Sequence, residues 1–166
     1  MPRLSGYIDS KSAKCVNILA LDPGTKTGWA HSCGQSGVFD LSVRRDESSG
    51  MRLVRLRGKL NEIKRDVGVS LLVYEAARFA GKNGRGALVI QSMFQGVIVE
   101  WCVDNNVDYR GYSSTEIKKY ATGNGNASKE LMIAVAEKVW PQKKGMDDNE
   151  ADALLLLSMT QSTLIV

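Results

Sequence analysis

The chain has 166 residues, 43% hydrophobic and 24% charged, which fits one soluble domain with a substantial core. No apolar run approaches the roughly 20 residues that a membrane helix needs, and Cys15, Cys33 and Cys102 are too few and scattered for a disulfide framework or a zinc knuckle. A net charge of +4 permits a polyanionic partner without requiring one.

Residues 1–14, MPRLSGYIDSKSAK, are polar and lack the apolar centre of a signal peptide. They are expected to form a flexible tail ahead of a single domain over 15–166. The cysteine usage points to a reducing cytoplasm.

The first element is a strand over 16–21, apolar and β-branched, running into Asp22. Segments 28–33 and 36–43, parted by Gly34, predict two more strands in a meander. Leu53, Leu56, Leu60, Ile63 and Val67 recur at helical spacing and predict an amphipathic helix over 51–67. Its outer row, Arg52, Arg55, Arg57 and Lys59, reads as a solvated face. The continuous apolar run VSLLVYE, 69–75, predicts a buried central strand that ends in Glu75.

A Gly-rich basic loop, ARFAGKNGRG, follows. A helix over 86–104 carries Ile90, Met93, Phe94, Val97, Ile98 and Trp101, and Leu88 and Val89 widen its apolar surface beyond one stripe. That surplus suits core packing alone or core packing plus a dimer seam. VDYRGY, 107–112, predicts a fifth strand. A helix capped by Ser114 stops at Gly123. A second, NASKELMIAVAEKVW, is ended by Pro141. PQKKGMDDN reads as a loop and EADALLLLSMTQS as a last helix docked on the sheet. Three strands in a meander followed by strand–helix–strand units predict a mixed α/β sheet flanked by helices.

Two strands thus end in acids, and the last helix opens with DDNEAD. If strands one and four are neighbours, Asp22 and Glu75 stand side by side, an arrangement that repulsion penalises unless a cation is present. Magnesium takes such hard oxygen ligands, and a pair of ions about 4 Å apart can activate water and stabilise a leaving oxygen. Asp152 lies four residues after Asp148 and three after Asn149, so either shares its helix face. Glu150 falls roughly opposite and Asp147 off the line. First-turn acids also simply complement the helix dipole, but Asp152, between alanines and ahead of four leucines, needs a partner to be tolerated. Lys118 and Lys129 flank TGNGNAS, where the next helix start offers N–H groups to a phosphate. His31 and the tryptophans Trp29, Trp101 and Trp140 read as structural.

ILALDPGTKTGWA, LLVYEAARFAGKN, EIKKYATGNGNASKE and DDNEADALLLL together resemble, in order and separation, the RuvC-type Holliday junction resolvases of the RNase H-like superfamily. The likeness runs over about residues 16–160, and the short form resembles bacteriophage resolvases more than the bacterial housekeeping type. It implies an RNase H-like five-stranded mixed sheet and a nuclease domain over 15–166. It also implies a magnesium-dependent crossover junction endodeoxyribonuclease, with two ions per site and manganese able to substitute. By position, Asp22, Glu75 and Asp152 match the metal ligands, and Lys118 and Lys129 match the lysines near the scissile phosphate. The family usually has Asp or His three residues before the last ligand. Here that position is Asn149, neutral and weaker, so Asp148 is expected to supply the charge.

Arg78 or Phe79 matches the residue that wedges into the junction, with Lys82, Arg85 and Lys119 as further DNA contacts. The resemblance further implies a homodimer that nicks branched DNA in pairs in the cytoplasm of a bacterium or phage-infected host. Three other readings compete. The actin and sugar-kinase fold shares the first phosphate loop but needs two such domains. The RuvC relative thought to process RNA lacks a comparable lysine pair. A branched-DNA-binding protein with impaired catalysis is the third, suggested by Asn149.

Overall fold

The computed structural model describes residues 16–77 and 84–164. The expected N-terminal tail, Cys15, Arg78, Phe79 and Lys82 lie outside the described residues, as does the side chain of Arg85. Five strands, β1 (Ile18–Asp22), β2 (Lys26–His31), β3 (Ser36–Asp40), β4 (Leu71–Glu75) and β5 (Asp108–Tyr112), form one sheet in the order β3-β2-β1-β4-β5. The meander pairs antiparallel, whereas β1–β4 and β4–β5 are parallel. Helices α1 (Met51–Val67) and α2 (Gly84–Asp104) provide the crossovers, and α3 (Ser114–Thr122), α4 (Lys129–Val139) and α5 (Asp148–Leu164) close the chain. This is the expected mixed sheet.

Strand parity decides what each face carries. On β1, Leu19 and Leu21 join Leu72 and Tyr74 of β4 in a core shared with α1 and α2, completed by Leu56, Leu60, Phe94, Ile98 and Trp101. Ile18, Ala20, Ala30 and Val73 point the other way, into a core with α3, α4 and α5. The small residues on this second face let α5 lie close to the sheet. Ala151, Ala153 and Leu154 through Leu157 of α5 are all buried, so this helix is apolar nearly all round. Each of those leucines contributes about 2 kcal/mol of burial. By the same alternation Asp22 follows Ala20 and Glu75 follows Val73, which aims both acids at the α5 side.

Several boundaries differ from the sequence expectation for identifiable reasons. β2 begins at Lys26 rather than residue 28 because Lys26 pairs with Asp40 across the hairpin, and β3 stops there instead of reaching 43. Helix α3 is capped by Ser113, not Ser114: Ser113 is extended and accepts from the Glu116 N–H, while Glu116 accepts from the Ser113 N–H in a capping box. Helix α4 starts at Lys129 behind Ser128, whose side chain accepts from the Leu131 N–H. Helix α5 starts at Asp148, two residues earlier than expected, because the Asp147 carboxylate accepts the Asn149 N–H and caps it. The stretch read as loop also contains a 3-10 turn over Pro141–Lys143.

The residues expected to be structural are so placed. His31 is buried, with Nε2 donating to the Gly68 carbonyl and Nδ1 accepting from the Cys33 N–H, which ties the β2–β3 turn to the end of α1. Trp101 is fully buried and donates to Asn61, and Trp29 stacks on Phe39. The basic row of α1 is more than solvated. Arg57 bridges to Glu100 and Asp104 of α2, and Arg55 to Glu47.

Candidate active site

Parallel pairing aligns Leu21 with Tyr74, so the next residues, Asp22 and Glu75, stand side by side at the carboxyl ends of adjacent central strands. Each is partly buried. Asp152 comes up beside them from the second turn of α5, and Asp148 from its first. The four carboxylates feel one another. Burial, then Glu75, Asp152 and Asp148, raise the Asp22 carboxyl well above the usual carboxylate range, with Lys129 partly opposing. Burial raises Glu75 as well, moderated by a hydrogen bond from Ser114 and by Lys118. Asp152 is pushed up to about 7, first by burial and then by Glu75 and Asp148. Such crowding of like charges on dry ground is costly to the fold and is a mark of functional sites.

Two lysines bear on the acids, one from α3 and one from α4. Lys129, at the start of α4, donates to Asp148 Oδ2 at 2.6 Å and acts electrostatically on Asp22 and Asp152. This contact holds Asp148 below the usual carboxylate range, in contrast to its neighbours. Lys118 of α3 bears on Glu75 and Asp152. A cleft of about 420 Å³ opens over Asp22 and Glu75, walled by Pro23, Ala76, Gln91 and Ser113 to Thr115. That is room for a phosphodiester with hydrated ions.

Asn149 is tied to the residue that caps the helix. Its Nδ2 donates to Asp147 Oδ1 at 2.6 Å, while Asp148 acts electrostatically on Asp22 and Asp152. Glu150 points towards β3, where Ser36 donates to it. Lys119 is exposed on α3. The sequence did not single out Ser114 for this role or Gln91 at all. Ser114 was assigned to a cap, and once the cap moves to Ser113 its hydroxyl is free to bond Glu75; the capping-box pattern Ser113-x-x-Glu116 was the available signal.

Among the described residues no three acidic, histidine or cysteine side chains converge closely enough to enclose an ion as they stand. The donor chemistry nonetheless suits a hard divalent cation. All the donors are carboxylate oxygens, three of them are held above their ordinary pKa by burial and mutual repulsion, and Asp148 already holds the ammonium of Lys129.

The strand order, the parallel crossovers and the acids gathered at the carboxyl edge define an RNase H-like protein. Solved structures share that fold. The T. thermophilus RuvC in complex with Holliday junction substrate matches with a TM-score of 0.68 at 16% identity, over 85% of this chain and 90% of that one. The yeast mitochondrial Holliday junction resolvase matches with a TM-score of 0.53 at 13% identity, over 85% and 75%. The family model for crossover junction endodeoxyribonuclease RuvC matches residues 18–160, and the chain belongs to that family. Among curated relatives, the RuvC of Anaeromyxobacter sp. (strain Fw109-5) is 33% identical over 90% of this chain and 68% of its own length. That of Chloroherpeton thalassium is 33% identical over 83% and 78%.

Proposed function

We propose that this protein is a structure-selective endonuclease that resolves four-way DNA junctions by metal-dependent phosphodiester hydrolysis. Asp22, Glu75, Asp148 and Asp152 would hold two magnesium ions, or manganese in their place, with the Asn149 side-chain oxygen as the further first-turn ligand. The single observation that carries this is the gathering of carboxylates from three separate elements, β1, β4 and α5, with Asp22 beside Glu75 in register and Lys129 on Asp148. When bound, the ions supply a water of lowered pKa and neutralise charge on the leaving oxygen.

The chain's own groups do the rest. Asp22 and Glu75 sit on rigid central strands, so their oxygens are fixed before substrate arrives. Lys129 and Lys118 come from different helices, and their ammonium groups meet the charge that develops on the phosphate. Lys129 then exchanges Asp148 for a phosphate oxygen, while Ser114 keeps the Glu75 carboxylate oriented. Arg78, Phe79, Lys82, Arg85 and Lys119 are proposed DNA contacts, with Arg78 or Phe79 entering the crossover.

Paired cutting needs two copies. The outer face of α2 offers a seam in Val89, Met93 and Val103, which are 56%, 45% and 64% exposed at helical spacing, with Gly96 between them. A second copy of this chain is the occupant that buries them. Among the described residues no helix is long and apolar enough to cross a membrane.

The test is cleavage of synthetic four-way junctions, forks, flaps and RNA–DNA hybrids with mapped cut sites. Paired nicks at the junction that cease in EDTA are the expected result. Cutting that persists in excess EDTA contradicts the metal assignment, and preferential cutting of RNA contradicts the substrate.

A further inference from the structure

Half of the acidic cluster rides on α5, so the height and rotation of that helix end decide where its carboxylates lie. Gly28 of β2 is the direct cross-strand partner of Asp22. Partners in such a pair share a face of the sheet, so Gly28 lies beneath the same space that Asp22 enters. The backbone of α5 rests there without intervening side chain. A Cβ added at Gly28 would stand 1.8 Å from the Asn149 carbonyl oxygen, 2.2 Å from its carbon and 2.9 Å from the Glu150 nitrogen. These are backbone atoms of the first helical turn, and they cannot swing aside as a side chain can.

The next contact fixes rotation. Ser36, opening β3, pairs with Ala30 and therefore projects from the same face as Gly28. Its hydroxyl donates to Glu150 Oε1 at 2.6 Å, and Lys143 Nζ of the 3-10 turn stands 3.6 Å from the same oxygen. The Glu150 side chain is only 16% exposed and that of Lys143 24%. Glu150 lies between Asp148 and Asp152 in sequence but projects from roughly the opposite side of the helix, so pinning it to β3 fixes the rotation that presents those two carboxylates to the cluster.

We infer that Gly28, Ser36 and Glu150 form a seat that positions the first turn of α5, and through it Asp148 and Asp152, for ion binding; they are positioning residues that need not touch substrate. The inference rests on the acidic cluster being the ion site proposed above. Restoring ordinary contact to an alanine at 28 requires α5 to withdraw by about 1.5 Å, a misplacement on the scale that costs roughly a hundredfold in rate. Loss of the Ser36 hydroxyl leaves the helix in contact but free to rotate.

The test uses the full chain with Mn²⁺, read by the electron paramagnetic resonance of unbound ion, alongside amide hydrogen exchange of residues 149–154 in EDTA. Ser36→Ala and Glu150→Gln are expected to weaken Mn²⁺ binding about tenfold, to speed exchange in the first turn of α5, and to leave exchange in β1 and β4 unchanged. Ser36→Thr, which keeps the donor, is expected to bind Mn²⁺ as the wild type does. Gly28→Ala is expected to bind it weakest, and its failure to fold would itself agree with the close backbone contact. Wild-type Mn²⁺ affinity in Ser36→Ala and Glu150→Gln overturns the seat while leaving the ion site standing. Absence of Mn²⁺ binding in the wild type overturns the site and the seat together.

Discussion

Asp152→Asn should make the ion-free protein more stable while destroying its activity. In the native state Asp152 holds its proton up to a pH of about 7, against an ordinary value of 3.8, first through burial and then through Glu75 and Asp148. The unfolded side chain ionises near 3.8, so between that pH and 7 the native state binds more protons. Stability therefore falls as pH rises through this window, and the loss is complete above 7. A carboxyl displaced from 3.8 to about 7 corresponds to roughly 4 kcal/mol. Water in the open cleft screens part of it, and Glu75 and Asp22 still repel each other in the variant, so about 2 kcal/mol should be recovered.

For a chain of this length that is a rise of roughly 4–8 °C in Tm. The assay is thermal unfolding by circular dichroism in EDTA at pH 8 and again at pH 4, where the gain should vanish. Excess Mn²⁺ should reverse the order, because only the wild type gains stability by binding. An unchanged or lowered Tm for Asp152→Asn at pH 8 in EDTA would refute the reasoning.

Asp22→Asn should abolish magnesium-dependent cutting of a four-way junction in a gel assay while junction affinity stays within about threefold, since phosphate contacts carry most of the binding. Lys129→Met should lower kcat by roughly a hundredfold or more in single-turnover assays, with little change in junction affinity. Leu156→Ala, in the fully packed heart of α5, should cost about 2–5 kcal/mol in urea unfolding with the slope unchanged. His31 titrates the other way from Asp152. Burial lowers its pKa below 6.5, so its contribution is intact above 6.5, begins to fade as pH drops below that, and is lost once pH falls through the lowered native value; His31→Gln should flatten the acid side of the stability profile.

How far the sequence reached follows from which signals are local. The buried strands ending in Asp22 and Glu75 are legible because a continuous apolar run and a terminal acid are both contiguous features, and parity then dictates that they share a face. Asp152 was visible as a carboxylate embedded in an apolar helix. The choice between Asp148 and Asn149 is not, since both spacings suit one face, and neither the Asp147 cap nor its bond to the Asn149 amide nitrogen is written in that spacing. Either Ser113 or Ser114 can cap by sequence, and only the reciprocal Glu116 contact selects Ser113. The seat beneath α5 joins Gly28 and Ser36 to residues more than a hundred positions away, and no short window of sequence encodes that contact.

The proposed activity depends on carboxylates from β1, β4 and α5 sharing divalent ions. Anomalous diffraction from crystals soaked in Mn²⁺ tests this most directly. Peaks within about 2.5 Å of oxygens of Asp22, Glu75 and Asp152 are predicted, with Lys129 drawn off Asp148. Full soaking with no peak among those oxygens, and Lys129 still bound to Asp148, would contradict it.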